Sequence, residues 1–412
     1  MVTELVCIVC GRSYPAEDLQ TCGVCGPQGI LDVRHDYDAI ARTLTLETLA
    51  GRSADHWRYR ELLPIDPRVT VPPLRVGWTP VYDAPRLAER VGVSKLFLKD
   101  EGRNPTSSFK DRASSVGVLK ALEFGYDTIA CASTGNAASS LAGMAASIGM
   151  RSVIFVPHRA PEPKIAQLLV FGATVFRVAG TYEQAFDLCR AACGHFGWYN
   201  RNSGTNPYLV EGKKTAGLEI AEQFASAGPL GGVLPDWVVV SVGDGCTIGG
   251  IGKGLHEFKR LGLVRTLPRL LGVQATGAAP IVKAFETKSD VIPSAAETIA
   301  DSIAVGTPRN WRRALAWVRA SRGAMLSVGD DDILDAMRLT ARLGGVFGEP
   351  AGVTSVAGLR RAVTQGVIPA TATVLAVITG NGLKDIASAT AAAGRPHDIQ
   401  PTLDDVESVL RN

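Results

Sequence analysis

Hydrophobic residues along most of the chain fall into two alternating patterns. Short, nearly continuous apolar runs are typical of strands buried on both faces, and longer segments with apolar residues three and four positions apart are typical of amphipathic helices. The predicted strands are 96–99, 128–132, 152–156, 174–178, 237–241, 270–274 and 373–379. The predicted helices are 114–124, 138–148, 163–171, 182–196, 215–227, 248–261 and 333–342.

This alternation predicts an α/β fold, because the helix that follows each strand carries the chain back to begin a parallel neighbour. We expect two open, mostly parallel, doubly wound lobes. The larger lobe is assigned to residues 34–115 and 222–412, and a smaller mobile lobe to residues 116–221. Since ligands of open α/β sheets bind at the carboxyl ends of the strands, the site is expected in the loops that follow the predicted strands.

Two stretches lack the alternating pattern. Residues 34–75 are polar and rich in arginine, and within them the cluster 62–64 (LLP), with Pro67 and the pair Pro72 and Pro73, predicts an extended connector. Residues 395–412 are predicted to form a polar linker followed by one short helix.

Composition and charge narrow the class of protein. The chain has 412 residues, of which 46% are hydrophobic and 20% charged, so collagen-like and wholly disordered classes are excluded. A formal net charge of +3 gives little long-range attraction to nucleic acid or to an anionic membrane. The mean hydropathy is +0.12, and the sequence shows neither a spanning apolar stretch nor a secretory signal. We therefore expect a cytoplasmic enzyme with neither a nucleic-acid nor a membrane partner.

Half of the eight cysteines lie near the amino terminus as two C-x-x-C pairs, Cys7 with Cys10 and Cys22 with Cys25. Two residues between thiolates let one turn direct both sulfurs at one ion, and two such turns complete a tetrahedral Cys₄ zinc site. A redox C-x-x-C is the alternative, but no βαβ pattern surrounds these pairs. Residues 1–33 are therefore predicted to be a zinc-ribbon module with a short hairpin through residues 14–19.

A closed Cys₄ site leaves no position for a substrate, so the predicted zinc is structural. Its binding would stabilise a module that is too small to bury a core of its own. A ribbon can also bind nucleic acid, but Arg12 is the only lysine or arginine among residues 1–33. We interpret the module as a structural cap that takes no part in the chemistry.

Of the remaining cysteines, Cys189 and Cys193 lie one helical turn apart and are expected to fill the core.

Four loops next to predicted strands carry polar or glycine-rich sequences. They are 101–112 (EGRNPTSSFKDR, with Lys110), 133–136 (STGN), 243–250 (GDGCTIGG) and 378–385 (ITGNGLKD). Singly, each has an ordinary explanation, since most lysines lie at the surface and Ser133 or Thr134 could simply cap a helix. The third loop has the amides and the following helix that bind phosphate, yet it matches neither a P-loop nor a complete dinucleotide-binding fingerprint.

Together the ordered motifs resemble the pyridoxal-phosphate enzymes of the tryptophan-synthase β-chain fold (fold type II), and within them the threonine synthases. The motifs that carry the resemblance are 104–112, 133–136, 211–215 (EGKKT), 348–351 (GEPA) and 379–385. The resemblance runs from about residue 75 to residue 390, and a Cys₄ ribbon occurs in some members of that family. It implies two cofactors, pyridoxal 5′-phosphate and a structural Zn²⁺.

The resemblance also implies a role for each loop. Lys110 would form the Schiff base with pyridoxal phosphate and then act as the acid and base. Asn136 would hydrogen-bond the cofactor's 3-hydroxyl, and Thr379 would meet its pyridine nitrogen. The implied ligands of the cofactor phosphate are Gly243, Asp244, Gly245, Cys246 and Thr247. The implied ligands of the substrate α-carboxylate are Ser133, Thr134, Gly135 and Ala137.

The implied reaction is a phosphate-eliminating lyase reaction of amino-acid biosynthesis, the conversion of O-phospho-L-homoserine and water to L-threonine and phosphate. The site must then hold a second phosphate. Residues 180–187 (GTYEQAFD) carry Glu183 and Asp187 where the resemblance leads us to expect an asparagine and a basic residue. Ser107 and Ala137 likewise replace a usual glycine and a usual threonine or serine. These departures leave open a cysteate-synthase-like replacement of the phosphate of O-phosphoserine by sulfite, or another paralogue of specialised metabolism.

Two kinds of protein without enzymatic activity are the alternatives to an enzyme. A catalytically silent regulator could use the fold as a platform, but Lys110, Asn136 and Thr379 are intact. A ribbon protein that binds nucleic acid would need more positive charge than this chain carries. The expected partner is a small amino-acid substrate, and the resemblance implies a possible homodimer.

Overall fold

The computed structural model describes residues 2–158, 160, 162–226 and 228–411. The strands are β1 (Val2–Cys7), β2 (Ser13–Tyr14), β3 (Leu31–His35), β4 (Val81–Asp83), β5 (Lys95–Asp100), β6 (Thr128–Ala132), β7 (Arg151–Pro157), β8 (Thr174–Val178), β9 (Tyr199–Asn200), β10 (Trp237–Ser241), β11 (Arg269–Ala275), β12 (Ala324–Val328) and β13 (Thr373–Ile378). The helices are α1 (Tyr37–Ala41), α2 (Leu46–Ala50), α3 (Pro85–Val91), α4 (Lys110–Glu123), α5 (Asn136–Ser147), α6 (Glu162–Val170), α7 (Tyr182–Phe196), α8 (Tyr208–Ala225), α9 (Cys246–Arg260), α10 (Pro280–Thr287), α11 (Trp311–Ala320), α12 (Asp330–Gly344), α13 (Pro350–Thr364), α14 (Ile386–Ala393) and α15 (Leu403–Arg411).

Two largely parallel sheets organise the chain, which confirms the predicted α/β fold. The larger has six strands in the order β12-β11-β10-β13-β5-β4, and the antiparallel β4 edge is its single exception to parallel pairing. The smaller has four parallel strands in the order β8-β7-β6-β9. A third, antiparallel sheet of β2, β1 and β3 forms the amino-terminal module.

The large sheet is buried on both faces because successive side chains of a strand point to opposite sides. In β10, Val238 and Val240 pack in the core on one face, whereas Trp237 and Val239 pack in the core on the other. Every residue of β10 is buried. This is why the strand reads as a continuous apolar run in the sequence, and why it could be predicted.

Strand order in the large sheet places the candidate loops side by side. β13 pairs with β5 on one edge and with β10 on the other, all in parallel. The loops that leave the carboxyl ends of these three strands therefore emerge at the same edge of the sheet. The backbone N–H of Phe109 donates to the Thr379 carbonyl at 2.8 Å, and the N–H of Asn381 donates to the Ser107 carbonyl at 3.0 Å.

The extended connector predicted around Pro64, Pro67 and Pro72 agrees with the structure, in which residues 63–80 form neither helix nor strand, but the polar stretch before it is folded. This stretch contains α1, α2 and a 3-10 segment, His56–Leu62, and it buries side chains such as Tyr59 and Leu62 in the core of the large sheet. The arginines that suggested solvent exposure are partly internal. Arg58 is 5% exposed, and its guanidinium donates to the Glu222 carboxylate at 2.7 Å.

Other predictions differ from the structure at element ends. The amino-terminal hairpin joins β1 to β2, so it precedes residues 14–19 rather than running through them. Helix α8 begins at Tyr208, seven residues before the predicted 215, because the polar residues of its first two turns are buried in ion pairs. The last residue of the predicted helix 215–227 lies outside the described residues. The sequence patterns also did not indicate β12, although its pairing with β11 extends the large sheet.

The predicted lobe boundaries stay predictions. The boundary at 115/116 falls within α4, and the boundary at 221/222 falls within α8. In the described part of the chain, no helix is both long and apolar enough to span a bilayer. The predicted cytoplasmic location and homodimer also stay predictions.

A fully buried ion network joins the lysine-bearing helix α4 to α8. The Arg112 guanidinium donates to both carboxylate oxygens of Glu101 at 2.7 Å, and to those of Glu219 at 2.6 and 2.7 Å. Lys99 adds a bond to Glu219 at 3.1 Å. All of these side chains are 0% exposed. Each charge is therefore compensated only by its partners in the network.

We predict that Arg112→Met destabilises the fold by about 3–5 kcal/mol, because it leaves two carboxylates buried with one lysine between them. The measurement is the urea midpoint of the purified protein. The matched control is Arg68→Met, which removes an arginine whose side chain is 89% exposed and pairs with Asp66, and which should leave the midpoint nearly unchanged. Equal midpoints for both variants and the unmodified chain would contradict the prediction.

Candidate active site

The predicted loops meet in one cavity of about 810 Å³ at the carboxyl ends of strands from both parallel sheets. Every catalytic, cofactor-binding and substrate-binding residue named from the sequence lines it. These residues are Lys110, Ser133, Thr134, Gly135, Asn136, Ala137, Gly243, Asp244, Gly245, Cys246, Thr247 and Thr379. Segments distant in the chain thus contribute to a single concave site, the usual arrangement of an active site.

Lys110 is the first residue of α4 and lies half-buried in the cavity wall. Burial lowers its pKa to about 8, and the neighbouring positive charges of Lys213 and Arg201 act in the same direction. Ser107, in the turn before it, has a φ of +65°. This left-handed backbone accounts for the glycine that is usual at the position. Because the pKa of Lys110 is lowered, a substantial fraction of its amine is neutral near physiological pH and able to act as a nucleophile.

The glycine-rich loop after β10 presents an anion site. Gly245 is the N-cap of α9 with a φ of +95°, it makes no side-chain cap, and the first turn contains no acidic residue. The first amides of a helix lack intrahelical partners and lie at the positive end of its dipole. A phosphate at this point would satisfy them. With the Lys110 amine in the same cavity, the residues present fit a phosphorylated aldehyde cofactor.

The Asp244 carboxylate, which would repel a phosphate, is turned away from these amides. It accepts hydrogen bonds from the Arg309 backbone N–H at 2.7 Å and from Asn310 Nδ2 at 3.0 Å. The Cys246 thiol donates to it at 3.0 Å. Burial raises the pKa of this thiol to about 11, so it remains protonated and able to donate. Asp244 thereby fixes the loop at residues 309–310 and does not cap α9.

A second helix amino terminus opens into the cavity beside Ser133. Helix α5 begins at Asn136, and its N-cap, Gly135, makes no side-chain hydrogen bond. Asn136 Nδ2 donates to the two carboxylate oxygens of Glu349 at 2.7 and 3.0 Å. Burial raises the pKa of Glu349 to about 6. The uncapped amides of α5 suit a carboxylate, while Glu349 holds the Asn136 amide in place.

Sequence reasoning assigned no role to several charged residues of the cavity wall. Arg201 and Lys213 are 2% and 1% exposed, and Arg309 and Glu349 also line the cavity. Lys213 and Glu349 lie within the motifs 211–215 and 348–351, so their presence in those motifs was the available signal. Arg201 directly follows β9, but two-residue strands give no recognisable pattern.

The acidic residues of segment 180–187 do reach the cavity. Glu183 and Asp187 are exposed side chains of α7 at the cavity wall. Phe186 lies between them in the sequence, and the Arg309 guanidinium lies 4.4 Å from the centre of its ring. Solvent and the nearby arginine reduce their repulsion of a bound anion.

The four amino-terminal cysteines form a compact cluster. The sulfur atoms of Cys7, Cys10, Cys22 and Cys25 all lie within 4.8 Å of one another, which suits one tetrahedral ion. The Tyr14 hydroxyl hydrogen-bonds the Cys22 sulfur and lowers the pKa of that thiol to about 6. Cys7 ends β1 and the other three cysteines lie in turns and loops beside this antiparallel sheet, without the βαβ setting of a redox C-x-x-C. Cys189 and Cys193 are buried in the core of the small sheet, as expected.

Comparison with known proteins agrees with this geometry. The family model for pyridoxal-phosphate dependent enzymes matches residues 73–380. A threonine synthase from Methanosarcina acetivorans is 40% identical over 99% of this chain and 98% of its own length. A threonine synthase from Methanocaldococcus jannaschii is 37% identical over 98% of both chains.

Solved structures agree on the fold. The processed form of threonine deaminase isoform 2 from Solanum lycopersicum has a TM-score of 0.65 and 23% identity, covering 77% of this chain and 88% of its own. Maize serine racemase has a TM-score of 0.64 and 21% identity, covering 74% of this chain and 88% of its own. The fold, the cavity and the near full-length similarity lead to one assignment. The chain belongs to the pyridoxal-phosphate-dependent enzymes of fold type II and, within them, to the threonine synthase family.

Proposed function

We propose that this protein is a threonine synthase that converts O-phospho-L-homoserine and water to L-threonine and phosphate. The observation that carries the proposal is the single cavity in which an amine of lowered pKa faces two uncapped helix amino termini. One terminus suits a phosphate and the other a carboxylate, which are the anionic groups of the cofactor and of an amino-acid substrate. The similarity to threonine synthases over nearly the full chain supports the same reaction.

The residues around the cofactor would bind and orient it. The amides of Gly243 to Thr247 would hold its phosphate, and Asn136, itself held by Glu349, would orient the ring through the 3-hydroxyl. When bound, pyridoxal phosphate supplies an electron sink for negative charge on the substrate carbons. Thr379 would offer a neutral hydroxyl to the ring nitrogen. That partner leaves the nitrogen largely unprotonated, which favours elimination and replacement over transamination.

Substrate binding and proton transfer fall to the opposite wall. Ser133, Thr134, the N-cap Gly135 and Ala137 of the first turn of α5 would bind the α-carboxylate. Lys110 Nζ would take the α-proton, return it to the bound substrate and cofactor, and, neutral again, take a β-proton, since its pKa of about 8 leaves it able both to accept and to return protons. The cations of the wall, Arg201, Lys213 and Arg309, would compensate the charge of the departing phosphate.

The test of the reaction is a comparison of two substrate pairs with the holoenzyme. O-phospho-L-homoserine should yield threonine and phosphate in equal amounts, because the cavity has cations for a leaving phosphate and water is the nucleophile. O-phosphoserine with sulfite should yield no cysteate, although the acids Glu183 and Asp187 at the wall motivated that alternative. Cysteate formation without threonine at millimolar substrate would overturn the proposal in favour of the cysteate-synthase-like reaction.

The lowered pKa of Lys110 predicts the pH dependence of cofactor binding. With a pKa of about 8, about a quarter of the amine is neutral at pH 7.5, against about one part in a thousand for an ordinary lysine. The rate of covalent attachment to the apoprotein, followed by absorbance, should rise with pH to a midpoint near 8. Lys213→Gln removes a positive charge that lowers this pKa, so its midpoint should lie higher. A midpoint above 10 in the unmodified chain would exclude the described environment.

We also propose that the cysteine cluster binds one structural Zn²⁺. Support comes from the closeness of the four sulfurs and from the small core of the module, which would depend on the ion. Metal analysis should find about one zinc per chain, and Cys22→Ser should lower both the zinc content and the thermal midpoint. Cys193→Ser changes a cysteine of the small sheet and should leave the zinc content unchanged. Full zinc occupancy in Cys22→Ser would refute the assignment.

A further inference from the structure

The strand that leaves the cysteine cluster makes direct bonds to the helices of the cofactor site. β3 begins at Leu31, a few residues after Cys25, and it pairs with β1 so that Leu31 lies opposite Cys7. The Leu31 carbonyl accepts a hydrogen bond of 2.6 Å from Arg313 Nη2 of α11. The cluster and this arginine are therefore linked through the buried first residue of β3, Leu31.

Arg313 continues the connection to the glycine-rich loop. Its Nη1 donates to Asn310 Oδ1 at 3.0 Å, and Asn310 Nδ2 donates to the Asp244 carboxylate at 3.0 Å. Arg313 is 5% exposed and Asn310 is 1% exposed, so water competes little for these bonds. Three consecutive hydrogen bonds thus link the ribbon strand to the loop that begins α9.

The same residues define the shape of the loop. A Cβ at Gly245 would lie 2.7 Å from the Asn310 carbonyl oxygen, and a Cβ at Gly249 would lie 2.9 Å from the Arg313 side chain. The first turn of α9 therefore rests directly against this arginine and asparagine. A shift of the Asn310 backbone or of the Arg313 side chain would therefore disturb the first turn of α9, whose amides face the cavity.

A parallel set of ion pairs fixes the rest of α9 to β3. Lys253 of α9 donates to the Asp32 carboxylate at 3.0 Å and to the Val33 carbonyl at 2.6 Å. It also donates to Glu211 of α8 at 2.7 Å. Lys253 and Glu211 are 3% and 1% exposed. The ribbon strand is thereby bonded to both helices that contribute to the cofactor side of the cavity.

We propose that Arg313 is a positioning residue through which metal occupancy of the cysteine cluster controls the affinity of the cofactor-phosphate loop. This inference rests on the proposed function, because the two ligands that it couples, pyridoxal phosphate and Zn²⁺, are the ones proposed above. An ordered β3 would hold Arg313, and Arg313 would hold Asn310 and Asp244 so that the amides of α9 converge on a phosphate. The ribbon is then part of the cofactor site's support, which goes beyond a cap that takes no part in the chemistry.

The binding of two ligands to one protein is thermodynamically linked, so the affinity for each ligand depends on the presence of the other. If zinc tightens pyridoxal phosphate binding by some factor, pyridoxal phosphate must tighten zinc binding by the same factor. Couplings of this kind between sites are typically about 5–150-fold. We expect at least about a tenfold effect, since the connection consists of buried hydrogen bonds.

The experiment measures the dissociation constant of pyridoxal phosphate for apoprotein with and without zinc, by absorbance titration. In the unmodified chain, removal of zinc should weaken binding about tenfold or more. Arg313→Met with zinc bound should be weakened to a similar degree, and removal of its zinc should change little further. Arg313→Lys keeps one donor group, so its dissociation constant should fall between those of the unmodified chain and of Arg313→Met. Arg319→Met, at an exposed arginine of the same helix, should behave as the unmodified chain.

A reciprocal measurement keeps the proposal falsifiable if Arg313→Met or the zinc-free protein fails to fold. The zinc affinity of the folded, unmodified chain is measured by chelator competition with and without pyridoxal phosphate. An increase of the same factor supports the proposal, and an unchanged zinc affinity overturns it. Tight, independent binding of both ligands would sink this inference alone, whereas failure to bind pyridoxal phosphate at all would sink the proposed function.

Discussion

The parallel pairing of β13 with both β5 and β10 is the constraint on which the site depends. It brings three loops that are far apart in the chain to one edge of the large sheet. Backbone hydrogen bonds from Phe109 to Thr379 and from Asn381 to Ser107 then fix the lysine loop against the loop after β13. The amino terminus of α9 lies beside them because α9 follows β10. An amine, a hydroxyl and an uncapped helix amino terminus are thus juxtaposed by strand order.

Positive charge gives this arrangement its chemical character. Lys213 and Arg201 lie buried in the same wall as Lys110 and, together with burial, hold its pKa near 8. The same cations that depress the amine's pKa would attract anionic groups into the cavity. The Asp244 carboxylate opposes this effect only in part, and it is hydrogen-bonded by the Arg309 backbone N–H, Asn310 and Cys246. The electrostatics of the site therefore depend on contacts outside the cavity as much as on the residues that line it.

The sequence was most informative where one structural rule acted alone. Strands 128–132 and 237–241 were predicted at their observed ends because burial on both faces leaves a continuous apolar run. The cavity loops could be predicted because they follow such strands. The arginine-rich stretch around Arg58 was misread, since only tertiary pairing with Glu222 reveals that its charges are internal. The roles of Arg201 and Glu349 in the wall likewise depend on contacts between segments that no local pattern encodes.

The central claim is that the ε-amino group of residue 110 carries the cofactor in a cavity formed by these loops. Borohydride reduction of the purified holoenzyme, followed by peptide mapping, tests it most directly. The account predicts one reduced pyridoxyl group per chain, attached to Lys110 and to neither Lys213 nor Lys384. Fully loaded protein in which the Lys110 peptide is unlabelled would contradict it.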